Sequence, residues 1–267
     1  MSLVATHDHG AVRLVTYANQ PFGTMTAAGA NEMLETMSAA AEDAAVRVIV
    51  ITGGLPGIFI RHYDVGELSV ASDRMADAPA TPPPPPPEQP TRPAGFLGLV
   101  DLIAAMDKPV IAAINGLCMG GGFELSLACD LRIAGREVEA IGLPETRIGI
   151  FPGGGGTQRL PRVIGEAKAL EVILRGLTFT GEGAFELGLV HEVSDVPLAR
   201  ALEIAAELAT RGPEGLAYAK RLTRAALDRP LAEGLADERQ SFAAVMRTAS
   251  AREGPRAGRA PTRIQSA

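Results

Sequence analysis

Residues 11–17 (AVRLVTY) alternate between apolar and polar positions, the period of a half-buried strand. The period changes over residues 26–41, where Met33, Leu34 and Met37 share one face of a helix. A β-branched run follows in VRVIVITGG, residues 46–54, ended by two glycines, which predicts a buried strand entering a loop. Residues 95–106 return to helical spacing. PVIAAING, residues 109–116, predicts another buried strand, followed by glycines and a short apolar helix that ends near Asp130. LRIAG, residues 131–135, predicts a further strand, and the two patterns alternate on to about His191. From Leu198 the chain reads as helical and alanine-rich. Strands alternating with helices imply an α/β architecture with crossover connections, and the sequence carries no visible internal repeat.

Residues 70–94 break this pattern. An unbroken run from Pro82 to Pro87, then Pro90 and Pro93, lacks amide donors and favours polyproline II. It predicts an exposed or disordered insertion inside a domain, because the candidate chemistry lies on both sides of it. The stretch from Gly254 is basic and poor in apolar residues, which predicts a mobile tail over residues 254–267. The organisation expected is a core over residues 1–197, a helical region over 198–253, and that tail.

Composition narrows the class. The chain has 267 residues, 46% of them hydrophobic, enough to bury a sizeable core. Its 25 basic and 31 acidic residues leave a net charge of -6, which argues against non-specific nucleic-acid binding. A polyanionic small ligand needs only a local basic patch. Cys118 and Cys129 lie in apolar sequence and form no CxxC pair, so neither a disulfide framework nor a zinc site is expected. The four histidines show no metal-ligand spacing, and no metal is expected. No apolar stretch is long enough to span a bilayer and no signal peptide is evident, so a cytoplasmic, soluble protein is expected.

The chemistry concentrates in KPVIAAINGLCMGGGFELSLACDLRIAG, residues 108–135. Gly120, Gly121 and Gly122 let the backbone approach a ligand closely, and amides at a following helix start point outward with partial positive charge. That arrangement can hold an oxyanion, although glycine turns also serve phosphates or structure alone. Glu124 stands among Phe123, Leu125, Leu127 and Ala128, where a carboxylate is costly unless it is paired or functional. A helix-start acid favoured by the dipole is the alternative. A second carboxylate, Glu145, precedes another glycine turn in FPGGGGTQRLPR, residues 151–162. Two carboxylates beside two amide-rich turns suit an enzyme that adds water or moves a proton.

These pieces, KPVIAAINGLCMGGGFEL, ACDLRIAG, LPETRIGIFPGGGGTQRLPRVIG and GLTFTGEGAFELGLVHEV, resemble the enoyl-CoA hydratase (crotonase) superfamily in order and spacing. VRVIVITGG, FIRHYDVGEL and a helix bearing Lys220 extend the resemblance over most of the chain. It implies a crotonase-like α/β fold, with a ββα spiral core and a C-terminal helical trimerisation region. It also implies an acyl-CoA thioester as substrate, no cofactor beyond the coenzyme A that belongs to the substrate, and a homotrimer or dimer of trimers. The implied reaction is hydration of a trans-2-enoyl-CoA to a 3-hydroxyacyl-CoA. An enoyl-CoA isomerase, another crotonase-type acyl-CoA enzyme and a non-catalytic acyl-CoA binder are the alternatives.

By position, the resemblance gives Glu124 the activation of water and Glu145 the proton exchange at the α-carbon. Gly121 and Arg61 become the two oxyanion-hole amides. Phe59, His62, Tyr63, Asp64, Gly120 and Gly153 become substrate-binding residues. The chain departs from the family at Arg61-His62-Tyr63, which replaces an Ala-Gly-Ala, and in its proline-rich insertion.

Overall fold

The computed structural model describes residues 2–77 and 94–257. Among these residues ten strands form two sheets: β1 (Val4–His9), β2 (Val12–Tyr17), β3 (Val48–Gly53), β4 (Ile58–Ile60), β5 (Val110–Ile114), β6 (Leu117–Met119), β7 (Leu131–Gly135), β8 (Ile141–Gly142), β9 (Thr178–Phe179) and β10 (Glu192–Ser194). The larger sheet runs β1-β2-β3-β5-β7-β10 and the smaller β4-β6-β8-β9. Only the β1–β2 and β8–β9 pairs are antiparallel. Three successive strand pairs, β3–β4, β5–β6 and β7–β8, each send one strand to each sheet. The repeat missing from the sequence is therefore present in the geometry. The crotonase-like spiral of ββα turns needs only similar burial at similar places, not similar residues.

Eleven α-helices accompany them among the described residues: α1 (Ala27–Glu42), α2 (Val65–Ala76), α3 (Gly95–Ala105), α4 (Gly121–Ala128), α5 (Gly156–Ile164), α6 (Glu166–Arg175), α7 (Gly181–Glu186), α8 (Pro197–Ala209), α9 (Pro213–Ala225), α10 (Leu231–Val245) and α11 (Ala249–Ala257). β3 is buried along its whole length. Its side chains alternate between two clusters, as the period of a strand requires. Ile49 and Ile51 meet Met33, Met37, Leu99 and Ile103 from α1 and α3. Val48 and Val50 meet Ala201 and Ala205 of α8 on the other face.

That second contact corrects the expected division at residue 197. Helix α8 covers one face of the large sheet and belongs to the core; its alanines let the helix axis come close. Helix α9 is tied to the core by charge. Lys220, almost enclosed, reaches Asp130 at 2.9 Å and donates to the carbonyls of Ile103 and Lys108. Arg224 holds the other Asp130 oxygen at 2.8 Å.

Three further expectations change. Residues 4–9 carried no strand pattern because β1 is an edge strand with only Val4 buried. The first residues of the expected insertion are helical, since α2 runs through Ala76; the polyproline stretch itself lies outside the described residues. Helix α11 continues through Ala257, so the tail does not begin at Gly254, and residues 258–267 lie outside the described residues.

Candidate active site

Strand β5 delivers the chain to Asn115, whose side chain both donates to Gly53 O at 2.8 Å and accepts from Gly53 N at 3.1 Å. This pins the ends of β3 and β5, and the chain turns into β6 and the three glycines. Gly120 has φ +49°, a conformation unfavourable for other residues. A Cβ on Gly122 would overlap Ile60 O, and one on Gly121 would stand 3.2 Å from Tyr63 N. The glycines thus bring the start of α4 against the 60–63 backbone.

The Gly121 amide, in the first turn of α4, has no partner within its helix. Neither it nor the Tyr63 amide has a hydrogen-bond partner among the described residues. The Arg61 amide differs: it donates to Gly23 O at 2.9 Å. Arg61 is therefore not the second oxyanion donor expected from position. Residues 61–64 pair with residues 23–25, His62 O and Asp64 N both bonding Met25, which leaves Tyr63 N unpaired. The unpaired amide falls two residues beyond the expected one because pairing, not sequence distance, decides which N–H is spent.

Glu124 sits in the first turn of α4 and is 4% exposed. Its Oε1 accepts from Gly154 N at 2.7 Å and Gly156 N at 2.8 Å. The turn supplying these amides is braced by Arg159, which donates to Gly154 O and pairs with Asp101. Burial raises the Glu124 pKa, while the two amides and Arg159 oppose the rise. Oε2 has no share in either amide bond. Gly154 and Gly156 were missed by sequence reading; the four-glycine run was their only signal.

Glu145 opens a 3-10 turn that Thr146 anchors through Ile173 O. Its Oε2 is buried without a partner among the described residues. Burial, then the Glu124 charge, raises its pKa to about 7, against a backbone bond that lowers it. A Cβ on Gly120 would lie 3.2 Å from Glu145 Oε1 and 3.6 Å from His62 Cβ, so these groups crowd one point. His62 donates from Nδ1 to Tyr63 O at 2.7 Å, which leaves Nε2 as an acceptor in the neutral ring.

Both carboxylates, His62, Tyr63, Gly120, Gly121 and Gly153 line one cavity of about 1270 Å³. Phe59 and Asp64 do not. Phe59 is a buried core residue, and Asp64 caps α2 by accepting from Glu67 N while its other oxygen takes the Thr24 hydroxyl. Both expected substrate contacts are therefore structural. Phe96, which sequence reading left as an ordinary helix residue, lines the cavity and packs edge-to-face on Tyr63 at 5.6 Å. Two carboxylates of unlike environment, facing two free amides in one cavity, can exchange protons beside a stabilised oxyanion.

The family pattern described as enoyl-CoA hydratase/isomerase matches residues 8–260. The chain belongs to this family. Relatives of this hydratase/isomerase family member include the 2,3-dehydroadipyl-CoA hydratase of Escherichia coli strain K12. It is 37% identical over 84% of this chain and 82% of its own length. A putative enoyl-CoA hydratase/isomerase of Bacillus subtilis is 47% identical over 57% of this chain, the match spanning 59% of that protein. A solved enoyl-CoA hydratase from Bacillus anthracis superposes with TM-score 0.83 at 30% identity, covering 96% of each chain. The fold is that of the crotonase superfamily. No helix among the described residues is long and apolar enough to cross a membrane.

Proposed function

We propose that this family member is an enoyl-CoA hydratase, adding water reversibly to a trans-2-enoyl-CoA to give a 3-hydroxyacyl-CoA. The observation that carries this reading is the contrast between Glu124 and Glu145 across one cavity. Burial raises the Glu124 pKa, but the two amides on Oε1 and Arg159 oppose that rise. Glu145 has an unpartnered buried oxygen and a pKa raised to about 7, so it holds a proton in part of the neutral range. Two acids that differ in this way, one with amide bonds to offset its burial and one with an oxygen that has none, suit a paired acid and base.

In the scheme, the thioester oxygen lies between the Gly121 and Tyr63 amides. Glu124 Oε2 takes a proton from water as the water oxygen bonds to C3. The C2–C3 π electrons shift towards the thioester, and the two amides stabilise the enolate charge that develops. Glu145 then delivers its proton to C2. The reaction uses no group beyond water and the substrate. An isomerase moves one proton between carbons and needs one such carboxylate, so two favour hydration. The hydratase names of the relatives from Escherichia coli and Bacillus anthracis agree with that preference.

Mixing the purified protein with crotonyl-CoA tests the reading. Hydration removes the conjugated double bond and its absorbance, with 3-hydroxybutyryl-CoA as product. Tight binding with an unchanged spectrum would mean a binder, and a shifted double bond in a longer enoyl thioester would mean an isomerase. The oligomer we infer is a trimer or a dimer of trimers. Leu227, Leu231, Phe242 and Met246 are exposed on or beside α9 and α10, as an unsatisfied contact surface would leave them.

A further inference from the structure

We propose that the Tyr63–Phe96 pair sets acyl selectivity at C3, so that the cavity takes linear acyl chains and rejects those branched at C3. The proposal rests on the hydratase reading for the placement of C3.

Phe96 reaches the catalytic groups from α3. A Cβ on Gly121 would lie 3.4 Å from Phe96 Cζ and 3.1 Å from Tyr63 Cβ. A Cβ on Gly154 would lie 2.5 Å from Phe96 Cε1 and 2.7 Å from Glu124 Oε2. The edge of the Phe96 ring therefore stands between the oxyanion amide and the oxygen of Glu124 that is free to act on water. Water bound there attacks C3, so C3 must lie close to the same ring edge. A hydrogen at C3 fits beside it; a methyl must displace the ring. Displacement is resisted because Phe96 is packed against Tyr63, and Tyr63 is held by the Met25 pairing on either side.

Among the described residues the tail has an apolar surface to follow. Helix α2 buries none of its residues, yet Val65, Leu68 and Met75 line the cavity, 45%, 36% and 76% exposed. Ile148 and Phe151 line the same cavity, exposed like them. This apolar surface is continuous with the catalytic carboxylates, and an apolar chain lying on it gains about fourfold in affinity per buried methylene.

The test measures binding of octanoyl-CoA and 3-methyloctanoyl-CoA by calorimetry, in the unaltered protein, Phe96→Ala and Phe96→Leu. Octanoyl-CoA is expected to bind about tenfold or more tightly than its 3-methyl analogue, the usual scale for one misplaced group in a fitted pocket. In the Phe96 variants that penalty should fall below about threefold. A merely structural Phe96 would weaken both ligands alike. Equal binding of octanoyl-CoA and its 3-methyl analogue, or a methyl penalty unchanged in both variants, would overturn the proposal. The corresponding 2-enoyl thioesters separate the two readings. If none is hydrated while the binding pattern holds, the hydratase assignment fails and the selectivity stands.

Discussion

The Arg61 amide donates to Gly23 O, 2.9 Å away, and by that bond leaves the role of oxyanion donor to Tyr63. Replacing single backbone amides with esters, through α-hydroxy acids, tests this directly. An ester at Tyr63 removes the free N–H and should lower kcat by about 10² to 10³. An ester at Arg61 removes a structural bond and should cost about 1 kcal/mol of stability, with kcat within about threefold. The reverse pattern would return the donor to Arg61.

Side-chain identity at position 61 then matters little to the chemistry. Arg61 does not line the cavity, and its Nε is buried without a partner among the described residues. Arg61→Ala should keep kcat on crotonyl-CoA within about threefold, far from the scale of a lost oxyanion donor. A loss on that larger scale would mean that the guanidinium acts on the thioester.

Both carboxylates should be indispensable. Glu124→Gln and Glu145→Gln each remove a proton-transfer group, and each should lower kcat by about 10² to 10⁴ with the fold retained by circular dichroism. A large loss in only one variant would favour isomerase chemistry.

Glu145 also gives a pH signature. In hydration its protonated form delivers to C2, so kcat/KM should fall as pH rises through about 7. Dehydration starts from the same carboxylate pair holding one proton, now on Glu124, and the reaction takes up no net proton, so its kcat/KM should follow the same limb. Stability follows the same group. Its folded pKa is raised above the ordinary 4.5, so the folded state holds more protons than the unfolded between these values. Its favourable contribution is thus present at low pH and is lost as pH rises from about 4.5 to 7. Urea midpoints should show that decline in the native protein and less of it in Glu145→Gln.

Asp130 gathers Lys220, Arg224 and the Val110 amide. Asp130→Asn leaves a nearly enclosed ammonium without its counter-charge. Breaking a buried pair costs about 3 to 5 kcal/mol, and the partial exposure of Asp130 reduces this to about 2. Urea denaturation measures the loss.

Light scattering at micromolar concentration should give a trimer or hexamer mass. A monomer would leave the exposed Leu227, Leu231, Phe242 and Met246 without a partner surface.

What the sequence determined by itself follows from local pattern. The runs of β3 and β5 are apolar on both faces, and only a strand buried on both sides uses such a run. The spacing of Met33 and Met37 foretold the buried face of α1. Glu124 was legible because a carboxylate among apolar residues needs a reason, and Glu145 because a glycine turn follows it. Tertiary structure decided the rest, since it depends on which groups are already paired. Gly23 and Met25 take up the polar groups around Tyr63, so the free amide is set by a strand pairing some forty residues away in the chain. Glu124 Oε1 is held by amides from Gly154 and Gly156, contributed by a different turn. Asp64 looked like a site residue but is spent on capping α2. Phe96 read only as part of a helix, yet its ring edge reaches the catalytic oxygen because α3 packs beside α4. A hydrogen bond or a ring edge is used once, and only the folded chain shows where.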